Sequence, residues 1–285
     1  MLQTIKKMKH CVNPYSALAN NTFGISFEEW YQNGFWPACH IPCSLADGDR
    51  IVANVSVNRM EFDRDGCRKH YIQLGTVMTD KEYRGQGLSR YLIERVISEW
   101  KDQSDGIYLF ANDRVLDFYP RFGFGRSSEY CYSKAVCTEN KKKTVEQVDM
   151  SEEKNREKLF EAIKTKTSNG RFVMNNPGLL MFYLTGFMKE SVYRLPEDGG
   201  YAVAQIKDGR LVVHEIIGQE IIDIDSVASA FGSGINQVEL RFTPFHQGRY
   251  TMQKWHEEDT TLFIQGKDLE VVGRDEMMFP TLSHA

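Results

Sequence analysis

Apolar residues recur every four positions at Leu88, Leu92, Val96 and Trp100, and Ile93 and Ile97 fill the adjoining row. This period predicts a helix that buries one face on a sheet. Upstream, residues 41–45, 51–62 and 71–79 are apolar and β-branched runs, and Asp47-Gly48 and Asp65-Gly66 separate them. Asp-Gly between such runs is a strong hairpin signal, so three antiparallel neighbours are expected. Gly75, inside the third run, predicts a bulge or a splayed pair. Residues 107–111 predict a short buried strand parallel to the third. A second helix is expected from Asp113 to about Arg121, stopping at Gly123-Phe124, and residues 128–136 read as a closing strand. The first forty residues look helical and aromatic, with Phe27-Glu28-Glu29-Trp30-Tyr31 in a short segment closed by Gly34 and Pro37.

The second half repeats this order weakly. Helices are predicted near 151–164 and 179–187, and strands at 191–195, 201–206 and 211–217. Lys207-Asp208-Gly209-Arg210 forms a hairpin turn between the last two. A helix near 226–231 and strands at 238–242 and 261–264 follow. Gly218-Gln219-Glu220-Ile221-Ile222 lacks the arginine and paired glycines found at the corresponding place in the first half. The polar stretch 138–145, with Lys141-Lys142-Lys143, reads as a solvated connection. The expected division is 1–137, a linker at 138–150, and 151–285. The fold class is α/β (α+β): two mixed, mostly antiparallel sheets flanked by helices.

Composition narrows the function. With 41% hydrophobic and 26% charged residues, the chain is that of a soluble globular protein. A net charge of −4 gives no electrostatic reason to expect nucleic acid or an anionic membrane as partner. No apolar run approaches a membrane span, and the start at residues 5–10 is too polar for a secretory signal, so a cytoplasmic location is expected. Six cysteines (Cys11, Cys39, Cys43, Cys67, Cys131 and Cys137) lack framework spacing and read as reduced thiols. Cys39-His40-Ile41-Pro42-Cys43, with Cys67 and His70 beyond, can be drawn as a zinc site, but the spacing is not repeated, and no metal is expected.

The densest chemistry lies where the third strand meets the helix, at Tyr83-Arg84-Gly85-Gln86-Gly87-Leu88-Ser89. The first N–H groups of a helix have no partner within it, and its dipole favours negative charge there. Gly85 and Gly87 let the main chain approach a ligand closely, and Arg84 adds a forked cation suited to phosphate oxygens. One exposed helix terminus contributes only about 0.3–1 kcal/mol, so several N–H groups plus an arginine are needed to hold a diphosphate. A nucleotide hydrolase is excluded, because no Gly-Lys-Ser/Thr follows the glycines.

Arg84, Gly87 and Ser89, then Asn112, then Phe118-Tyr119-Pro120-Arg121-Phe122-Gly123-Phe124, resemble the GCN5-related N-acetyltransferases (GNAT) in order and spacing. The family loop reads Arg/Gln-x-x-Gly-x-Gly/Ala, and serine at the last place is a mild departure. The resemblance covers roughly residues 25–136. Over its whole length the chain is similar to tandem members related to the mycobacterial enhanced-intracellular-survival acetyltransferases, whose second domain is degenerate. Their acceptor specificity is not carried over.

The resemblance implies acetyl-CoA as donor. The main-chain edge at Val77, Met78 and Thr79 would pair with the pantetheine arm as an added strand. Arg84, Gly85, Gln86, Gly87, Leu88 and Ser89 would hold the diphosphate, with Asn112 near the pantetheine end. Tyr119 would protonate the departing thiolate, a contribution of about 10²–10⁴-fold. The implied activity is N-acetyl transfer to a primary amine by direct attack in a ternary complex. The alternative is a CoA-binding regulatory or protein-interaction module without turnover. Glu61, His70, Asp80, Glu129 and the carboxylate of Ala285, should the tail fold back, are candidate bases, as is a water chain; none is assigned. The acceptor amine is not identified by the sequence, and a homodimer is left open because the family often dimerises.

Overall fold

The computed structural model describes residues 3–5, 12–138 and 142–285. Cys11, the start at residues 6–10 and Lys141 of the lysine run lie outside the described residues. The chain begins with β1 (Gln3–Ile5), α1 (Val12–Phe23) and α2 (Glu28–Gln32). The three expected strands follow as β2 (His40–Asp47), β3 (Arg50–Arg64) and β4 (Cys67–Thr79), paired antiparallel in sequence order. Asp65 (φ 52°) and Gly66 (φ 77°) both take positive φ in the turn between β3 and β4, as the two-residue hairpin turn whose twist matches the strands requires. Next come α3 (Leu88–Trp100) and β5 (Gly106–Ala111), the latter parallel to β4. On α3, Leu92, Ile93 and Val96 are buried against Val55, Val57, Ile72 and Leu74 of the sheet.

The expected helix over 113–121 is absent. Two 3₁₀ turns, Asp113–Val115 and Tyr119–Phe122, replace it, and Gly123 ends the second in the left-handed region at φ 85°. Pro120 has no N–H to give a helical ladder and its ring crowds the preceding turn, so a continuous α-helix across it is disfavoured.

The chain continues with β6 (Gly125–Arg126), β7 (Glu129–Ala135), β8 (Glu146–Gln147), α4 (Glu153–Lys164), β9 (Phe172–Met174) and α5 (Pro177–Thr185). It continues through β10 (Val192–Leu195), β11 (Gly200–Lys207), β12 (Arg210–Ile217), α6 (Ile224–Ala230), β13 (Gln237–Leu240), β14 (Thr251–Trp255), β15 (Thr261–Gln265) and α7 (Glu270–Arg274). One sheet runs β1-β2-β3-β4-β5-β15-β6 with β9 against β3, and the other runs β14-β7-β13-β12-β11-β10-β8.

This order corrects the expected closing strand and the division at 137. The strand predicted at 128–136, β7, lies between β13 and β14 in the second sheet, and β15, from the second half, completes the first sheet against β5. A strand's alternation fixes which face is buried, not which neighbour it pairs with. The exchange interlocks the halves around one core, where Phe62, Tyr71 and Tyr108 meet Phe172, Leu179 and Phe279.

Candidate functional site

Residues Tyr71, Ile72 and Gln73 of β4 pair with Gly106, Ile107 and Tyr108 of β5, and the pairing stops there. Beyond Gln73 the two strands part, while β4 keeps β3 on its other side as far as Thr79. The β3–β4 register shifts between Asn54 and Ser56, opposite Gly75–Met78, and Thr76 takes a φ of 40°. The bulge expected from Gly75 is therefore present, with its positive φ one residue later. The edge of β4 facing β5 is left with unpaired main-chain groups.

That edge opens on a cavity of 820 Å³ lined by Val77, Thr79, Arg84, Gly85, Gly87, Leu88, Ser89, Asn112 and Tyr119. Of the residues singled out in the sequence, Met78 and Gln86 do not line it. The Met78 side chain is buried with Tyr15, Trp30 and Ile51 on the other face of the sheet, because successive strand residues point to opposite faces. Gln86 is exposed.

Gly85 and Gly87 both take a φ of 77°, and Gly87 is the left-handed N-cap of α3. A Cβ at either would meet nothing within 4 Å, so the space above the loop is open. The main-chain N–H groups of Leu88, Ser89 and Arg90 have no acceptor among the described residues. The corresponding helix of the second half differs: Asp223 caps α6, and its carboxylate accepts from the N–H groups of Asp225 and Ser226. A side-chain anion thus occupies there the place left open at Gly87. The Arg84 Nε donates to the carbonyl of Thr79 at 3.2 Å, and the Ser89 and Thr79 hydroxyls are 2.6 Å apart, tying the loop to the strand end.

Sequence reasoning missed Arg90 and Arg114, which also line the cavity; with Arg84 they set three cations against one lining acid, Asp259. A cationic residue three places after Gly87 and another two places after Asn112 were the available signals. Thr22 and Phe23 of α1 complete the wall and had none.

Tyr119 stands between this cavity and a smaller one of 100 Å³, which Gly75, Thr76, Phe110, His284 and Ala285 also line. Its ring packs on Phe118, Phe124 and Phe263, and burial pushes the phenol up to about 12, so it stays protonated at neutral pH. The tail does fold back: a Cβ at Gly75 would come within 2.3 Å of the Ala285 carbonyl oxygen, so only glycine admits this approach. The His284 ring stacks on Phe110 at 3.5 Å, and burial pushes its imidazole down to about 3.

The other candidate bases lie elsewhere. Glu61 pairs with Arg68 at 3.3 Å and shares a separate cavity of 900 Å³ with His70. Asp80 caps the turn after β4 and pairs with Arg50 at 2.7 Å. Buried Glu129 accepts from the Phe279 N–H. None of the four lines either cavity at Tyr119. In the drawn zinc cluster, His40 places both ring nitrogens against Asn58 and Tyr15, and Cys39, Cys43, Cys67, Cys131 and Cys137 carry free thiols.

The two-sheet architecture is that of a group of N-acyltransferase structures. A probable N-acyltransferase from Enterococcus faecalis is similar over 95% of this chain and 74% of its own, at 15% identity and a TM-score of 0.60. Eis1 from Mycobacterium abscessus is similar over 95% of this chain and 75% of its own, at 12% identity and 0.58. A GCN5-related N-acetyltransferase from Kribbella flavida aligns over 94% and 73%, at 16% identity and 0.56. Residues 13–124 match the acetyltransferase (GNAT) family. Among curated proteins, the chloroplastic GCN5-related N-acetyltransferase 2 of Arabidopsis thaliana is 41% identical over 54 residues, which are 19% of this chain and 21% of the relative. Among the described residues no helix is long and apolar enough to cross a membrane.

Proposed function

We propose that the protein is an acetyl-CoA-dependent N-acetyltransferase, moving the acetyl group to a primary amine by direct attack in a ternary complex. One observation carries this reading: the parting of β4 and β5 after Gln73 opens a single cavity with the glycine loop at one end and Tyr119 at the other. The fit to the donor rests on the open space above Gly85 and Gly87 and the unpartnered N–H groups of the first turn of α3. These groups, with Arg84 and the missed Arg90 and Arg114, suit two phosphates. The free edge at Val77 and Thr79 suits an amide-bearing arm lying as an added strand, and Asn112 lies across the gap from it.

The donor supplies its acyl group as a thioester. At the inner end of the cleft, the amine nitrogen bonds to the acyl carbon, the carbon–sulfur bond breaks, Tyr119 gives its proton to the leaving sulfur, and the proton shed by the new amide nitrogen returns to the phenolate. A lysine-like amine must first lose its own proton, at a cost of roughly 4.6 kcal/mol at neutral pH. Desolvation in the small cavity beside Phe110 and neutral His284 lowers that barrier, since burial disfavours an ammonium ion. The second half closes this chamber with its tail, and the Asp223 carboxylate fills the N-terminus of its own corresponding helix. Release of CoA thiol with a panel of amines tests the reading. Turnover with any primary amine supports it, whereas tight acetyl-CoA binding with no turnover across the panel would establish a regulatory CoA-binding module instead.

A further inference from the structure

Beneath the bulge of β4 runs a buried polar chain for which the donor cavity has no use. Asn54, Ser56 and Asn58 alternate along β3 on one face and are all within 2% of full burial. Tyr15 of α1 and His40 of β2 reach in beside them. The donors can be ordered throughout. Asn58 gives its amide N–H to the Gln73 carbonyl, so its oxygen accepts from His40 Nδ1 at 2.5 Å. His40 Nε2 is then the acceptor and takes the Tyr15 proton at 3.3 Å. The Tyr15 oxygen is left to accept from Thr76 (3.0 Å) or Ser56 (3.1 Å); those two hydroxyls lie 2.5 Å apart, so one gives its proton to the other and the second gives its own to Tyr15. From the other side, the Asn54 amide donates to the Thr76 carbonyl at 3.0 Å, while its oxygen accepts from Ser44. Burial pushes Tyr15 up to about 12 and His40 down to about 4, so both are neutral at neutral pH.

Tyr15, Ser56 and Asn54 all bond to Thr76, and Thr76 holds a φ of 40°. A β-branched residue rarely adopts that conformation, and it persists only where its surroundings over-determine it. A fully satisfied buried network does so. The residue beyond is Val77, where the free edge of β4 enters the donor cavity, and Thr76 itself lines the small cavity with Tyr119.

We propose that Tyr15, backed by His40 and Ser56, is a positioning residue: it holds Thr76 at positive φ and so aims the free edge of β4 at the reacting thioester. The effect on rate rests on the acetyltransferase reading of the cleft; the effect on the strand does not.

Tyr15→Phe, which keeps the ring and removes the hydroxyl, tests it in the full chain. Amide hydrogen exchange at residues 75–78 should quicken about tenfold and kcat fall about tenfold, the equivalent of about 1.4 kcal/mol. Affinity for CoA, read by calorimetry, should fall less than kcat, because the loop at 84–89 is untouched and only the edge beside the pantetheine arm is loosened. Adding Thr76→Gly to Tyr15→Phe should recover much of both losses, since glycine takes positive φ without support. Ser56→Ala should act in the same direction as Tyr15→Phe. Unchanged exchange and kcat in Tyr15→Phe would overturn the proposal. A loss that glycine at 76 does not relieve, with exchange faster across the whole chain, would also overturn it by making Tyr15 an ordinary core residue. If no amine yields turnover with the wild type, the acetyltransferase reading fails by itself, and exchange with its rescue still decides the role of Tyr15.

Discussion

Tyr119→Phe deletes one hydroxyl and keeps the ring that packs on Phe118, Phe263 and Phe124 at centroid separations of 5.4, 5.7 and 6.3 Å. Because burial is the cause that moves the phenol, and no hydrogen bond holds it, the deletion orphans no partner among the described residues. Stability should therefore change by no more than about 0.5 kcal/mol. The rate is another matter. A phenol held near 12 faces an aliphatic thiol whose ordinary pKa is about 8.5, so full transfer to a solvated thiolate is uphill by about 5 kcal/mol at about 1.36 per pH unit. Tyr119 thus acts mainly through a hydrogen bond that strengthens as charge gathers on sulfur, and the proton crosses only as the carbon–sulfur bond gives way. This places the expected loss at the lower end of general-acid effects, about 100-fold in kcat, or about 2.7 kcal/mol. A thiol-reactive dye follows CoA release with an amine that the wild type turns over, and calorimetry follows acetyl-CoA affinity, which should stay within about twofold because the ring remains. A variant turning over at close to the wild-type rate would refute the assignment and leave Tyr119 a packing residue. The raised pKa also sets a sign: the acid stays protonated below about 12, so ionisation of Tyr119 should not lower turnover between neutral pH and mildly alkaline conditions.

Two further perturbations probe the loop and the interior. Gly87→Glu meets open space at its Cβ, so it costs the backbone strain of a left-handed residue, about 1–2 kcal/mol, and sets a carboxylate where phosphate should lie. Acetyl-CoA binding by calorimetry should weaken at least about tenfold with helix content by circular dichroism unchanged; unaltered affinity would remove the diphosphate assignment. Glu129 is pushed up from 4.5 to about 8 by burial, so the folded chain keeps a proton that the unfolded chain releases, and stability falls as pH rises through that window. Glu129→Gln keeps an acceptor for the Phe279 N–H and abolishes the ionisation. Denaturant midpoints should show the variant more stable at about pH 8, by an amount on the order of a few kcal/mol, and indistinguishable near about pH 4. A variant no more stable than wild type at the higher pH would contradict the burial argument.

The local signals in this chain were strong where one residue decides one conformation. Asp65-Gly66 sets a turn because both positions need positive φ, the row from Leu88 to Trp100 sets a helix face, and the N-terminus of that helix stays open because Gly87 has no side chain to cap it. These features, and Tyr119 seven places after Asn112, could be read without coordinates. The segment 113–121 failed as a helix because Pro120 outweighed its apolar spacing. Alternation turns the Met78 side chain to the other face, which leaves only its main chain on the strand edge.

What the chain order could not supply was partnership. The pairing of β7 with β13 and β14, and of β15 with β5, joins residues more than a hundred positions apart. Alternating apolar residues declare a buried face and stay silent about the neighbouring strand, so the interlocked sheets emerge only from the packed whole. The cluster from His40 to Thr76 is of the same kind: its residues come from a helix and three strands, and each alone is an unremarked polar residue in an apolar run. Sequence alone determined the local conformations and the chemistry of the loop. Tertiary structure decided where the strand edge is freed, because that depends on which distant groups satisfy one another once water is excluded.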